Sequence, residues 1–473
     1  MAKDMSYQAI LSRQNEIIYN ATKVNYEDFE LEGIGFDYDR MMEEAAGFSM
    51  EEMHKIQKGN GVGDTPLIEL KNLTKLARHY APEGKGARIF VKDEACNISG
   101  SFKARRAAMS VYLAHKLGYK GVVCATSGNY GAAVAAQAAL YGLECIVVQE
   151  CYDSRMVGQP EILEKQRICE AYGAEVVQLT VGPELFSTFL GILEETGYFN
   201  ASLYVPFGIA GVETLGYELV NRCREQTGKD PDMVVCTNAG GGNLTGTARG
   251  VKLAGCDAQI VGASIDLSGL HMASDNDFNK KSFTTGHTGF SIPFVTWPDR
   301  SDVPRNAARF LRHADRYVLV KQGETFYITE ALASQEGYER GPAGNTSLTA
   351  AFALAQELDE DQIIVVQETE YTGAGKHPMA QLTFAKENGV ELKFGNPDED
   401  EPGKNIIFPE NPGQIKARDF SMEKLRKSYL KNAVKNYKMT RATKEDIEYL
   451  AAETKTSPEF VKEFLLDNKV ECD

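Results

Sequence analysis

No run of about eighteen apolar residues, the length that crosses a bilayer as a helix, occurs in the 473-residue chain. The segment Met1 to Ile18 also lacks the charged-then-apolar layout of a secretory signal. Both absences lead us to expect a cytoplasmic protein with no membrane partner. The nine cysteines include no CxxC pair, which removes the common zinc and redox spacings. Cys124, Cys145 and Cys236 lie in strand-like runs and read as buried thiols in a reducing compartment, and no metal site is expected. Positive charge is in short supply: 51 Lys and Arg against 67 Asp and Glu give a net charge of -16 and a pI near 5.1. That balance argues against nucleic acid as a partner, and it means that an anionic ligand needs locally positioned arginines or lysines. Internal repeats and low-complexity tracts are missing too.

What is present is regular alternation. With 43% apolar and 25% charged residues the chain has ample core material. Strand-like runs at 87–92, 121–124, 145–149, 176–179, 233–236, 260–263, 317–320 and 363–367 are interleaved with helical patterns. Such alternation predicts parallel sheet with crossover helices, here as an α/β fold of two lobes with a ligand between them. A helical N-terminal extension, with a helical, acidic segment over 41–57, is expected for 1–60, and the two α/β lobes for 61–395. The stretch from Pro397 to Pro412, rich in Pro, Gly, Asn and acidic residues, marks a boundary. Residues 396–473 are therefore assigned to a linker and a helical C-terminal extension, with helix starts at Thr443 and at Ser457-Pro458. Its acidity excludes a DNA-binding pair of helices and suggests docking on a sister subunit.

Three strand-to-helix turns carry the chemistry. Lys103, in Ser99-Gly100-Ser101-Phe102-Lys103-Ala104-Arg105-Arg106, opens a helix. A helix N-terminus disfavours the ammonium form, and a neutral amine is the form that attacks an aldehyde. The turn Ala125-Thr126-Ser127-Gly128-Asn129-Tyr130-Gly131 presents backbone N–H groups suited to a carboxylate. In Asn238-Ala239-Gly240-Gly241-Gly242-Asn243-Leu244, successive glycines let backbone approach a phosphate. Together an amine, a carboxylate grip and a phosphate cradle are the parts needed to hold pyridoxal 5'-phosphate and an amino acid.

Ser-Gly-Ser-Phe-Lys, Thr-Ser-Gly-Asn-Tyr-Gly and Gly-Gly-Gly-Asn-Leu, in this order, resemble the tryptophan-synthase-β and threonine-synthase group of pyridoxal-phosphate enzymes, of fold type II, over roughly Thr65 to Gly389. More narrowly, the whole chain is similar to the larger, cofactor-binding subunits of the 2-amino-4-oxopentanoate thiolases of ornithine degradation. The resemblance implies an acyltransferase that cleaves a C–C bond with coenzyme A, yielding acetyl-CoA and alanine. A small α subunit and a hetero-oligomer with two copies of this chain are implied with it. By resemblance, Lys103 is the catalytic, cofactor-linked lysine. Gly240, Gly241, Gly242, Asn243 and Leu244 bind the phosphate, Asn129 the phenolic oxygen, and Thr126, Ser127, Gly128 and Asn129 the substrate. The ring nitrogen meets a hydroxyl, for which Thr369 and Thr372 compete.

Ala104 stands where threonine synthases typically carry aspartate, which disfavours a phosphohomoserine substrate. Two rival readings remain: a β-eliminating or β-replacing lyase such as diaminopropionate ammonia-lyase, and a non-catalytic amino-acid-binding regulator. Cys96, His271, His287, Lys376 and His377 lie in or near loops where they could serve the site or only the structure. Arg105 and Arg106 could meet an anionic substrate or lie on a helix surface.

Overall fold

The eight Val- and Ile-rich runs expected as strands are strands, and shorter ones that were not expected join them. In chain order they are β1 (Leu67–Glu69), β2 (Arg88–Asp93), β3 (Gly121–Thr126), β4 (Glu144–Tyr152), β5 (Glu175–Thr180), β6 (Phe199–Asn200), β7 (Met233–Thr237), β8 (Gln259–Ile265), β9 (Arg316–Val320), β10 (Ile363–Glu368), β11 (Glu391–Gly395), β12 (Asn405–Pro409) and β13 (Arg418–Asp419). The computed structural model describes residues 4–126, 128–153, 155–182, 184–267, 282–284 and 300–473.

Seven strands form one sheet in the order β1-β2-β10-β7-β8-β9-β13. Its interior is parallel, and only the edge strands β1 and β13 run antiparallel to their neighbours. A second sheet, β5-β4-β3-β6, is wholly parallel. These are the two α/β lobes. On one face of the larger sheet, Ile89, Val91, Val235, Val261, Val318, Ile364 and Val366 pack with residues of the helices Lys71–Tyr80, Gln322–Glu336 and Thr346–Ala355. Burying each such side chain stabilises the fold by roughly 1.5–3 kcal/mol. All six residues of β10 are buried, as expected for a strand covered on both faces.

Helix–helix contact without intervening side chains fixes the region between the sheets. The helix Pro206–Thr227 crosses the helix Gly242–Leu253 through paired glycines. A Cβ at Gly216 would lie 2.0 Å from Thr247 O, and one at Gly250 would lie 2.0 Å from Glu213 O. Any larger residue would force the two helices apart.

Three features bear on the expected organisation. The helical segment expected over 41–57 consists of two helices, Tyr38–Glu44 and Met50–Gly59. Gly47 takes a φ of 63° between them, and Ser49 with Glu52 forms a reciprocal cap that starts the second. The boundary at 395/396 falls inside a paired ribbon, because β11 and β12 align in parallel from Glu391↔Asn405 to Gly395↔Pro409, and β13 then joins the large sheet. Finally, the tail helices Met422–Asn436, Lys444–Thr454 and Pro458–Asp467, started by Ser421, Thr443 and Ser457 as caps, dock on their own chain. Arg309 and Arg312 both bind the buried Glu453, at 2.5 and 2.8 Å. Among the described residues no helix is long and apolar enough to cross a membrane, and no cluster of metal-binding side chains occurs. All nine cysteines are free thiols.

Asp400, between β11 and β12, is buried with Oδ1 accepting from Ile407 N at 3.3 Å and Oδ2 without a partner. Burial pushes its carboxyl up to about 6, against the attraction of Lys321. A carboxyl raised in the fold favours its protonated form, so its contribution is present below the ordinary value of 3.8 and is lost as pH rises through about 6. Asp400→Asn should therefore raise unfolding free energy by up to about 3 kcal/mol near pH 8 and by almost nothing near pH 4, as read from urea titrations. Equal effects at both pH values would refute this account.

Candidate active site

Lys103 is the first residue of the helix Lys103–Lys116, and the turn before it is stitched to the end of β10. Phe102 N donates to Thr369 O at 3.0 Å, Tyr371 N donates to Gly100 O at 2.8 Å, and Ser101 pairs with Glu370 as an antiparallel bridge. The amine lies 3.0 Å from Glu370 Oε2 and 4.8 Å from the centre of the Phe102 ring. Asn129, first residue of the helix Asn129–Tyr141, donates from Nδ2 to the same carboxylate oxygen. Glu370 was not anticipated. Only the pairing of the end of strand β10 with the lysine turn brings Glu370 and Lys103 together.

Two residues beyond the lysine, Arg105 is fully buried and uses all five N–H groups. Nε and Nη2 donate to Glu94 at 2.7 and 2.8 Å; Nη1 donates to Thr214 at 2.9 Å and to Glu218 at 3.0 Å; Nη2 also reaches Glu218 at 2.8 Å. Lys92 adds a 3.0 Å contact to Glu218, and Gln57 Nε2 donates to Arg105 O at 3.1 Å. Burial alone would raise the Glu218 carboxyl; Arg105 outweighs it, with His54 and Lys92 adding, and holds it far below the carboxylate range. Arg105 is thus a structural anchor for the lysine helix, neither surface residue nor anion ligand.

The triple glycine turns from β7 into the helix Gly242–Leu253. Gly241 has a φ of 89°, a conformation that favours glycine. At Gly240 a Cβ would lie 1.5 Å from the Tyr204 hydroxyl, and at Gly242 it would lie 2.7 Å from Arg106 Nη2. The first N–H groups of a helix have no intrahelical acceptor, and here they border a cavity lined by Lys103, Asn129, Tyr204, Gly240, Gly241 and Gly242. Thr237 Oγ1 and Asn243 Oδ1 are buried there without partners. Bare backbone donors at a helix start, facing an amine, fit a phosphorylated aldehyde.

Thr126, Gly128, Asn243 and Thr369 also line the cavity. Thr126 Oγ1 accepts from Gly128 N at 3.0 Å. Leu244 is different: its side chain packs in the core near Gly262, leaving only its backbone for a ligand. Thr372 is not in the cavity wall, and its buried Oγ1 lies beside Gly341 without a partner. Ser127, His271 and His287 lie outside the described residues. Cys96 donates to Asp93 at 2.9 Å, and burial together with that carboxylate pushes its thiol up to about 11. Lys376 is exposed; His377 is buried 4.0 Å from Glu161, and burial keeps the imidazole neutral. Phe102, which belongs to the Ser-Gly-Ser-Phe-Lys motif, Tyr204 and Ala343 are also in the wall, and no sequence signal set the last two apart.

Residues 59–370 match the family described as "Pyridoxal-phosphate dependent enzyme". A protein of Acetoanaerobium sticklandii, "2-amino-4-ketopentanoate thiolase beta subunit", is 68% identical over 462 residues, 98% of each chain. A second protein of that name, from an unknown prokaryotic organism, is 64% identical over 468 residues, 99% of each. Among solved structures, a threonine deaminase from T.th. aligns at 25% identity with a TM-score of 0.52, covering 69% of this chain and 98% of that one. Serine racemase from Dictyostelium discoideum aligns at 19% with a TM-score of 0.52, covering 68% and 97%, and shares the fold.

Removing one partner from the buried network leaves a charge uncompensated, which costs about 3–5 kcal/mol. Glu218→Gln should lose that much stability near neutral pH. A depressed carboxyl contributes stability above its unfolded value of 4.5 and loses it as pH falls. The deficit relative to the parent should therefore shrink below about pH 4.5, as read from denaturant midpoints. A deficit that does not vary with pH would point to lost packing instead.

Proposed function

This chain belongs to the pyridoxal-phosphate-dependent enzymes and, within them, to the 2-amino-4-ketopentanoate thiolase beta subunits; on that premise we propose that it cleaves 2-amino-4-oxopentanoate, the same keto acid, with coenzyme A to acetyl-CoA and alanine, in the cytoplasm. Its cofactor is pyridoxal phosphate and its co-substrate coenzyme A. A beta subunit has a partner, which we take to be a small α subunit in an assembly holding two copies of this chain. The observation that supports the reading best is the convergence of Lys103, Asn129 and the triple glycine on one cavity in a chain similar to those relatives from end to end.

Bound pyridoxal phosphate supplies an electron sink for the α-carbon of the amino acid. Lys103 would hold the cofactor through its amine, and the same amine would take the proton from the substrate α-carbon and return it. Glu370, 3.0 Å away, holds that proton on Lys103 Nζ between the two events. Backbone donors from Thr126 to Asn129 grip the substrate carboxylate, and those of Gly240 to Leu244 grip the phosphate. Thr369 is the hydroxyl we assign to the ring nitrogen, since it lines the cavity and Thr372 does not. In the overall reaction the coenzyme A sulfur loses its proton and bonds to C4 of the substrate, the C3–C4 bond breaks, and C3 gains a proton to become the methyl of alanine. A protein thiol nucleophile is not needed. We propose 1–60, 61–395 and 396–473 as N-terminal extension, catalytic core and C-terminal extension, with the β11–β12 ribbon joining the last two.

Borohydride reduction of the cofactor-loaded protein followed by peptide mapping should mark Lys103, and Lys103→Ala should lower turnover by at least about 10²–10⁴-fold. A label on any other lysine would overturn the assignment.

Supplied with the small subunit, coenzyme A and 2-amino-4-oxopentanoate, the chain should form acetyl-CoA and alanine in equal amounts. Without the small subunit it should still exchange the substrate α-proton for solvent deuterium. Ammonia release without acetyl-CoA would favour the β-eliminating lyase.

A further inference from the structure

The two consecutive arginines after the lysine have opposite surroundings. Arg105 faces two carboxylates; Arg106, just as fully buried, faces none among the described residues. Its guanidinium makes one hydrogen bond there, from Nη1 to Leu203 O at 3.3 Å, and Nε is buried without a partner. Its other neighbours are aromatic: the ring centres of Phe102 and Tyr204 lie 5.1 and 5.9 Å from Cζ. A buried cation without a counter-ion is costly, and ring faces offset only part of that cost.

The guanidinium also lines the cavity, with Nη2 against the backbone at Gly242, where a Cβ would lie 2.7 Å away. It therefore stands at the first turn of the twelve-residue helix Gly242–Leu253, beside the N–H groups that have no intrahelical acceptor. Lys103 and Arg106 are the two cationic side chains in the described wall, and Lys103 already faces Glu370. An anion entering this corner meets one uncompensated charge with a two-pronged donor.

We propose that Arg106 is the charged half of the phosphate site, pairing directly with the cofactor's phosphate while the glycine turn supplies the neutral, backbone half. The proposal rests on the pyridoxal-phosphate assignment. It accounts for an arginine held in an apolar corner of a chain with a net charge of -16, where a dianion would otherwise be bound by backbone dipoles alone.

The test compares two ligands that differ only in the phosphate. Cofactor-free full-length protein, Arg106→Gln and Arg106→Lys are titrated with pyridoxal phosphate and with pyridoxal, following visible absorbance. Arg106→Gln should weaken pyridoxal phosphate binding roughly 10- to 100-fold, the range of a lost charged hydrogen-bond pair, and leave pyridoxal binding unchanged. Arg106→Lys, which keeps the charge without the fork, should fall between. If the glutamine variant does not fold, the lysine variant carries the test through the same ratio of affinities. Equal loss for both ligands would overturn the proposal in favour of a packing role. Unchanged cofactor affinity with a raised KM for the amino acid would overturn it in favour of carboxylate recognition. Failure of the parent to bind either ligand would instead sink the cofactor assignment on which the proposal stands.

Discussion

The buried ion cluster around Arg105 is the constraint from which the site's geometry follows. Five N–H groups of one guanidinium meet Glu94, Glu218 and Thr214, which come from two segments far apart in sequence. Glu94 follows β2, Glu218 and Thr214 belong to the helix Pro206–Thr227, and Arg105 itself lies half a turn from the reactive lysine. A cluster of this kind is poor evidence for net stability, since desolvation consumes most of its attraction. Its value lies in direction: a planar fork with all donors used accepts one orientation of the helix, and Lys103 points where that orientation sends it.

The same helix Pro206–Thr227 carries the second constraint. Its glycine crossing with Gly242–Leu253 sets backbone against backbone, so the helix start that borders the cavity has no slack relative to the helix gripped by Arg105. Lysine and triple glycine, 137 positions apart in the numbering, are held by one intermediary. Charge on one side and contact without side chains on the other make that intermediary rigid.

Much of this was legible in the amino-acid order, because strand-to-helix turns are local events. Lys103, Asn129 and Gly240 to Gly242 each stand at a turn whose composition betrays it, and all reach the cavity. Glu370 and Tyr204 were not legible, since their role comes from sheet pairing and helix approach that bring distant segments together. The contrast between Arg105 and Arg106 was equally hidden: one residue of offset on a helix turns a side chain by about 100°, into carboxylates for one and into the cavity for the other. The division of the helical segment 41–57 into two helices has a local cause, the Ser49 and Glu52 cap, which the sequence does contain.

The two hydrogen bonds between the lysine turn and the end of β10 bear on how the molecule handles its ligands. They join Lys103 and Thr369 to the large sheet, to which the triple glycine also belongs, whereas Asn129 follows β3 of the small sheet. Every mooring assigned to the cofactor except Asn129 therefore sits on one body, and the substrate grip sits on the other. A displacement of the small sheet against the large one would act on the residues proposed to hold the substrate more than on most of those proposed to hold the cofactor.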